Sequence, residues 1–274
     1  MITRFVGQLG LGPRWRLRGS LSRPGSSCCA PLENEIAAMN VADGENLPLA
    51  DSIDRKHSIV ASAIEPPAPI LRLGETPACS QFFGGWSEAK SAVSVCVNCG
   101  LSEQRTQAVF GVGDEAADWL FVGEGPGAEE DLRGEPFVGQ AGKLLDSMLA
   151  GLGIVRGQGV YIANAVKCRP PNNRTPEPDE IEACFPYLQR QIELIRPRVI
   201  VALGRPAAQA LLKQEIRIGA ARGQVFRFGE IPVVVTYHPA YLLRNPADKG
   251  KAWADLCFAR KTLASSPPKV KETA

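Results

Sequence analysis

From Cys96 onward, short apolar runs of strand length alternate with stretches of helical periodicity, and tight turns separate them. The runs 119–123, 160–163 and 199–203 have the length and continuous apolar character of strands that are buried on both faces. The helical stretches between them supply the crossovers that parallel strands require. We therefore predict a three-layer α/β/α fold with a mainly parallel central sheet.

The later part of the chain provides three further signals. Apolar residues at helical spacing over 181–195 predict a helix, and the preceding Thr175 and Pro176 resemble an N-cap and a first-turn proline. The runs 225–228 and 231–237 predict a hairpin. A final helix is predicted around Trp253 to Arg260.

The composition is that of a globular protein, with 45% hydrophobic and 22% charged residues among 274. No apolar run is long enough to span a membrane, so we expect none. A net charge of +2 does not by itself indicate a polyanionic partner. The eight cysteines are unevenly placed in a chain of this length, which favours a reducing compartment over a disulfide framework.

Residues 1–85 lack sustained periodicity and are interrupted by Pro, Gly and Ser clusters, which predicts a low-order extension. We expect the folded domain over 86–265 and a flexible tail over 266–274. The first 30 residues contain five arginines and no acidic residue, as in organellar transit peptides. The alternative is a start codon placed too early, with Met39 as the true beginning.

Two segments rich in glycine and proline follow the first long strand, Gly123 to Gly127 and Pro136 to Gly139. Such residues let backbone amides approach a ligand closely. The spacing is not that of a dinucleotide fingerprint, and no Gly-Lys-Ser/Thr follows to make a P-loop. A plain loop with solvated acidic residues is the alternative.

The second strand delivers Asn164, whose amide offers the donor and acceptor needed to read the edge of a pyrimidine. A structural asparagine is the alternative. Nearby, Lys167, Arg169 and Arg174 carry charges suited to phosphates, although such charges are often only a solvated surface.

His238 is one of only two histidines and follows an apolar strand directly before Pro239. An imidazole in this position is suited to stabilising developing negative charge, and a hydrogen-bonded structural histidine is the alternative. Leu242 or Leu243, a few residues later, has the apolar character of a wedge that enters a base stack.

Four cysteines have spacings that suit a metal site, because Cys96 and Cys99 form a C-x2-C pair and Cys168 and Cys184 follow in the domain. Four thiolates bind either tetrahedral zinc or a four-iron cluster, and ligand softness does not choose between them. Buried free cysteines are the alternative, particularly for Cys184 on an apolar helical face.

Taken together, these motifs closely resemble the family 4 uracil-DNA glycosylases, the bacterial and archaeal branch that carries an iron-sulfur cluster. The resemblance runs from about Cys96 to Leu256. Its motifs are Gly123 to Gly127, Pro136 to Gly139, Asn164 with Lys167 to Pro171, and His238-Pro239 with Leu242-Leu243-Arg244. It implies uracil-DNA glycosylase activity, which flips uracil out of DNA and hydrolyses the N-glycosidic bond to initiate base excision repair.

The resemblance also implies roles for individual residues. Phe137 would stack on the flipped uracil, Asn164 would read its edge, and His238 would stabilise the departing base anion. The motif containing Leu242 would enter the DNA at the vacated position. The remaining expected DNA contacts are Arg169, Arg174, Leu243 and Arg244, and a [4Fe-4S] cluster would bind Cys96, Cys99, Cys168 and Cys184 in a structural role.

The chain departs from better-known relatives of the same fold at Gly125, where their aspartate orients the attacking water. A dissociative mechanism is therefore expected, with Glu124 positioning water or offsetting positive charge. Gly127 replaces the tyrosine with which those relatives exclude thymine, which leaves Glu130 or the Phe137 loop as candidates for that role.

We expect a monomeric, cytoplasmic, nucleoid-associated enzyme whose partner is single- or double-stranded DNA that contains uracil. Three alternatives are a non-catalytic DNA-binding or redox-sensing module, a glycosylase for another damaged base, and a variant that traps DNA covalently. The last would carry a histidine-bearing insertion after the Cys168 motif, and residues 171–177 contain none.

Overall fold

The computed structural model describes residues 84–269. Residues 1–83, which include the arginine-rich start and Met39, and residues 270–274 lie outside the described part of the chain. Within 84–269, no helix is long and apolar enough to cross a membrane.

Six strands of the described region form one sheet in the order β1-β3-β2-β4-β6-β5. The inner strands β3, β2, β4 and β6 are parallel, whereas β1 pairs antiparallel with β3 and β5 pairs antiparallel with β6 as the predicted hairpin. The strand bounds are Val112–Gly113, Trp119–Gly123, Val160–Asn164, Val199–Leu203, Val225–Phe228 and Ile231–Thr236 for β1 to β6.

Helices cover both faces of this sheet and confirm the predicted three-layer α/β/α fold. Helices α4 and α5 pack on one face, and α3 and α8 pack on the other. Strands β2, β3 and β4 are buried along their whole length, which explains their continuous apolar sequences. The helix bounds are Trp86–Ser94, Ala128–Arg133, Gln140–Gly151, Pro178–Ile195, Arg205–Leu212, Ile218–Ala221, Pro239–Arg244 and Lys249–Ser265 for α1 to α8.

The start of α4 lies later than the sequence predicts. Its N-cap is Glu177 and its first-turn proline is Pro178, so Thr175 and Pro176 do not cap it. The backbone N–H of Glu177 donates to the Glu180 carboxylate at 2.7 Å, which supplies a partner at the helix end. Two prolines occur within three residues here, and only the second lies at the helical first turn.

Helix α1 forms a smaller core with the cysteine-bearing segments, and its Trp86 also packs against one of the main sheet cores. The Trp86 ring lies 5.3 Å from the Tyr161 ring and 6.1 Å from the Phe110 ring, measured between centroids. Ala89 and Val93 are almost fully buried on the same helix. The described fold therefore includes a helix that precedes the first cysteine pair.

Residues 266–269, the first part of the predicted flexible tail, make hydrogen bonds to the folded domain. Lys269 Nζ donates to the backbone carbonyls of Ala116, Ala117 and Ile195 at 2.7–2.9 Å. The Arg198 guanidinium donates to the carbonyl of Ser266 at 2.6 Å. These contacts join residues 266–269 to residues far away in sequence.

Strand β2 lies between β3 and β4, so the chain crosses to one side of β2 and later to the other. Ligands of open α/β sheets bind at such a switch point, outside the carboxyl ends of the strands. Glu124, Asn164, Gly204 and His238 lie at the ends of β2, β3, β4 and β6, or directly beyond them. The topology therefore brings residues from four chain segments to one edge.

Candidate active site

A cleft of about 710 Å³ opens at this carboxyl edge. Its wall contains most of the residues that the sequence singles out. The predicted site residues in the lining are Glu124, Gly125, Phe137, Asn164, Arg174, His238 and Arg244. Arg169, Leu242 and Leu243 are not in this lining.

Asn164 presents an unused acceptor at the cleft wall. The side chain is 2% exposed, and its Oδ1 is the only buried side-chain nitrogen or oxygen of the described residues without a hydrogen-bond partner. The backbone carbonyl of Asn164 accepts from Lys167 Nζ at 2.9 Å, and that ammonium also donates to Gln191 Oε1 at 2.6 Å. Buried polar atoms are normally paired, so this one is available for a ligand.

These contacts correct the suggestion that Lys167 binds phosphate. Its side chain is 1% exposed, and burial lowers its pKa to about 8. Lys167 supports the backbone at the end of β3 instead. The neighbouring Gly125 faces Val166, whose Cγ2 would lie 2.8 Å from an added Cβ, so this position is crowded as well as lacking a side chain.

The Phe137 ring lies beside Asn164 and His238. The centroids of the Phe137 and His238 rings are 5.5 Å apart, and the two ring planes are tilted by 30° relative to each other. Phe137 has a φ of 54°, in the left-handed region that costs a non-glycine residue about 1–2 kcal/mol. Gly123 leaves the space that the ring occupies, because an added Cβ would lie 2.5 Å from both Phe137 Cζ and Asn164 Oδ1.

Arg156 holds the strained Phe137 segment in place from nineteen residues away. Its guanidinium donates to the carbonyl of Phe137 at 3.1 Å and also to that of Pro136, while it pairs with Asp146 at 3.1 Å. Persistent backbone strain requires such external support and is common at ligand sites.

His238 has a defined tautomer. Its Nδ1 accepts a hydrogen bond from the backbone N–H of Ala240 at 3.1 Å, so the proton of the neutral ring is on Nε2. Burial first, and then the Arg244 charge, lower the pKa of His238 to about 4, against the opposing effect of Glu130. The ring is therefore neutral at pH 7 and presents an N–H donor.

Glu124 lies at the end of β2 in a half-buried position. Burial raises the pKa of its carboxyl, whereas a hydrogen bond from Thr175 and the charge of Arg205 act in the opposite direction. A carboxylate next to a cation and a hydroxyl donor is suited to holding water or to stabilising a nearby positive charge.

Glu130 is fixed by three backbone amides. One carboxylate oxygen accepts from Val138 N at 2.9 Å and Gly139 N at 3.0 Å, and the other accepts from Gly127 N at 3.1 Å. The carboxylate therefore joins the loop after β2 to the Phe137 loop and lines the cleft.

The two leucines of the His238 motif have different environments. Leu242, one of the two predicted wedge residues, is 1% exposed and packs inside the fold. Leu243 is 43% exposed and is the leucine available for that role. Adjacent positions of a helix face different directions, and α7 directs Leu242 inward.

The basic side chains are exposed or half-buried, as DNA contacts require. Arg174 is already paired with Glu180, with an N–O distance of 2.7 Å. Arg169 donates from Nε to the Asn173 side chain at 2.8 Å. Arg244 and the unpredicted Arg205 line the cleft and are exposed.

The four predicted cysteine ligands line one small second cavity. Cys168 Sγ accepts from Arg105 at 2.9 Å, and Cys184 Sγ accepts from the backbone N–H of Lys167 at 3.2 Å. Burial raises the pKa of Cys168 and raises that of Cys184 to about 12. No group of three or more His, Cys, Asp or Glu side chains within 84–269 is arranged to hold a metal ion.

Sequence reasoning missed Arg105, Arg156 and Arg205. Arg105 and Arg156 act on residues 63 and 19 positions away, and no local motif records such a contact. Arg205 had a usable signal, because it directly follows the strand-terminal Gly204 at the edge where the other site residues lie.

Comparison with known proteins places these features in a family context. The family model described as the uracil DNA glycosylase superfamily matches residues 110–257. The type-4 uracil-DNA glycosylase of Archaeoglobus fulgidus is 51% identical over 159 residues, which cover 55% of this chain and 79% of that protein. The type-4 enzyme of Pyrobaculum aerophilum is 45% identical over 171 residues, covering 60% and 87%. The type-4 enzyme of Saccharolobus solfataricus is 44% identical over 183 residues, covering 64% and 85%.

Proposed function

The chain belongs to the uracil DNA glycosylase superfamily and to its type-4 branch, and on this premise we propose that the cleft binds uracil and releases it from DNA. The protein is a DNA glycosylase that hydrolyses the bond between uracil and deoxyribose. The product is an abasic site, and the reaction initiates base excision repair. The observation that best supports the location of the site is the unpartnered Oδ1 of Asn164.

Uracil presents an N–H at N3 and an acceptor at O4, so Asn164 would accept from the first and donate to the second. Cytosine presents the opposite pattern, with an acceptor at N3 and a donor at N4. Pairing with uracil would satisfy the buried Oδ1, whereas cytosine would leave it facing another acceptor. The same amide therefore explains binding and selectivity.

Phe137 would stack on one face of the flipped base. Extrusion from a duplex costs a few kcal/mol, and a preformed aromatic surface offsets part of that cost. The ring is held by its loop and by Arg156 before any base arrives. It therefore loses little freedom on binding.

His238 would act on the leaving group as a neutral donor. When the C1′–N1 bond breaks, both bonding electrons remain on uracil and negative charge develops on its carbonyl oxygens. The Nε2–H of His238 would stabilise that charge, because Nδ1 is occupied by the amide of Ala240. A neutral ring retains its proton throughout, so the base would leave as an anion.

Glu124 would act on the sugar and on water. Bond breaking leaves positive charge on the sugar, and a nearby carboxylate stabilises it. Water then adds to C1′, and the Glu124 carboxylate would orient that water and accept the proton that it loses. Gly125 offers no side chain for this step, and its crowded surroundings favour assigning the role to the adjacent residue.

Glu130 would exclude thymine. Its carboxylate is held rigidly between Gly127 and the Phe137 loop, so it cannot move aside at low cost. Binding of thymine would bring its 5-methyl group against a carboxylate oxygen of Glu130. This contact is unfavourable, because the methyl group would remove water from the charged oxygen and offer no hydrogen bond in return. Gly127 itself contributes no side chain.

We also propose that Cys96, Cys99, Cys168 and Cys184 hold a [4Fe-4S] cluster. The donor set is all sulfur and lines one cavity, and thiolate sulfurs accept hydrogen bonds of the kind that Arg105 and the Lys167 amide make. The cluster would supply a structural crosslink. It would join the loop after α1 to the segment that follows Asn164.

Arg169, Arg174, Leu243 and Arg244 would contact DNA, with Leu243 rather than Leu242 as the wedge. Leu243 has the exposed apolar side chain that insertion into a base stack requires. Because Arg174 already pairs with Glu180, its contribution to phosphate binding should be smaller than that of Arg244. We propose that the enzyme acts as a monomer, which sedimentation at several concentrations tests.

The deciding experiment is cleavage of a labelled oligonucleotide carrying one uracil by anaerobically purified protein, with alkali to break abasic sites. Matched oligonucleotides carrying cytosine or thymine at the same position serve as controls. We expect strand breaks only at uracil, and we expect Asn164→Leu to abolish most of them. Tight DNA binding without cleavage would instead support the non-catalytic module.

A further inference from the structure

Two tyrosines form part of the cleft wall on either side of His238 in the sequence. Tyr237 follows β6, and Tyr241 lies in α7. Their rings are stacked, with centroids 5.1 Å apart and planes 12° from parallel. Both side chains are only partly buried, and neither belongs to the hydrophobic cores of the described region. None of the roles assigned above uses them.

Polar contacts fix Tyr241 from one side. Its hydroxyl donates to Asp248 Oδ2 at 2.7 Å, and the other oxygen of Asp248 pairs with Lys251 Nζ at 2.9 Å. The hydroxyl bond and the stacking on Tyr237 therefore orient the ring together. A side chain oriented in this way loses little freedom when a ligand stacks on it.

A second set of contacts supports Tyr237. The guanidinium of Arg222 lies 5.5 Å from the centre of the Tyr237 ring. Arg222 Nε donates to Asp255 at 2.7 Å, and that carboxylate, 3% exposed, also accepts from Thr236 Oγ1 at 2.7 Å. Tyr237 is thus supported by an Arg222–Asp255 ion pair whose carboxylate is buried.

Proteins bind single-stranded nucleic acid by stacking bases on aromatic side chains within a positively charged groove. The exposed Arg205 and Arg244 line the same cleft as the two tyrosines. In a duplex, the bases beside uracil are already paired and stacked on their neighbours. In a single strand, they are free to stack on protein. An aromatic surface beside the uracil pocket therefore favours single-stranded substrate over duplex.

We propose that Tyr237 and Tyr241 form a stacking platform for a nucleobase adjacent to the flipped uracil in single-stranded DNA. This proposal rests on the proposed position of the active site. It adds a determinant of strand preference that Asn164, Phe137 and His238 do not supply. Stacking of one base is commonly worth about 5- to 150-fold in affinity.

The test measures kcat and KM separately on one uracil-containing sequence, presented as a single strand and as a duplex. Tyr241→Leu keeps apolar bulk and removes the aromatic face, whereas Tyr241→Phe keeps the face and removes only the bond to Asp248. We expect Tyr241→Leu to raise the single-strand KM at least fivefold relative to the duplex KM. Tyr241→Phe should restore most of that ratio.

A direct readout accompanies the kinetics. With 2-aminopurine beside the uracil in a single strand, stacking on the platform should quench its fluorescence on binding, and Tyr241→Leu should reduce the quenching. Thermal unfolding of each variant checks that it is folded. An equal fall of kcat on both substrates would mean that Tyr241 only supports the His238 loop, and would overturn the proposal. No uracil cleavage by the wild type would instead refute the active-site assignment.

Discussion

Gly142 is the position at which one methyl group should most strongly disturb the uracil pocket. It lies in the first turn of α3, and an added Cβ would be 1.8 Å from the carbonyl oxygen of Phe137 and 2.2 Å from its carbonyl carbon. Side-chain Cβ atoms essentially never approach other atoms within 3.0 Å. Gly142→Ala therefore requires the Phe137 backbone to move by more than about 1 Å, since both contacts are with backbone.

That movement should slow uracil excision strongly. The Phe137 carbonyl is held by Arg156, and its backbone is already in the left-handed region. A displacement of about 1 Å in a positioning group typically costs about 100-fold in rate. We expect kcat/KM for uracil excision to fall by about that factor, and overpacking to lower the free energy of unfolding by about 1–3 kcal/mol.

Gly250→Ala is the matched control, because Gly250 also lies in the first turn of a helix and an added Cβ there meets nothing within 4 Å. It should leave kcat/KM unchanged and raise the free energy of unfolding by up to about 1 kcal/mol. Excision of uracil from a single-strand oligonucleotide and urea unfolding measure the two quantities. If Gly142→Ala retained kcat/KM within about threefold of wild type, the proposed placement of Phe137 under the base would be wrong.

Three further predictions concern single side chains. His238→Ala should lower kcat by about 10² to 10³, whereas Arg174→Ala should mainly raise KM at moderate salt; equal effects on kcat would contradict the assigned roles. Burial holds the pKa of His238 near 4 in the folded state, against 6.5 in the unfolded chain. The contribution of the neutral imidazole to folding stability is therefore complete above pH 6.5 and is lost as pH falls toward 4. Urea unfolding at pH 7 and pH 4.5 should therefore show a smaller pH effect in His238→Gln than in wild type. Arg105→Met removes the donor to Cys168 Sγ and should accelerate loss of iron and of visible absorbance under air, and unchanged iron retention would argue against this contact.

The strands were predictable because a strand that is buried on both faces has a continuous apolar sequence. Trp119–Gly123 and Val199–Leu203 are apolar throughout, and the structure confirms both as inner strands of a parallel sheet. The start of α4 was less predictable. Two prolines lie within three residues of each other, and local rules allow either to open the helix until the Glu180 carboxylate is seen to cap Glu177.

Side-chain direction was the main point that the sequence did not determine. Leu242 and Leu243 are adjacent and chemically identical, and only the packing of α7 decides that the second is exposed. Lys167 has the sequence context of a phosphate ligand, yet its ammonium is buried between a backbone carbonyl and Gln191. The left-handed conformation of Phe137 has no local signal, because nothing nearby in the sequence demands it.

The sequence by itself determined the order of strands and helices, the family, and which chemical groups follow each strand. Periodicity and motifs depend on interactions within a few residues, so they specify these features well. The tertiary structure decided which atoms remain available to a ligand, namely Oδ1 of Asn164 and the Nε2–H of His238. It also decided that three backbone amides bind the Glu130 carboxylate. Each depends on contacts or burial created when separate strand ends meet at one edge of the sheet, and no local pattern contains that information.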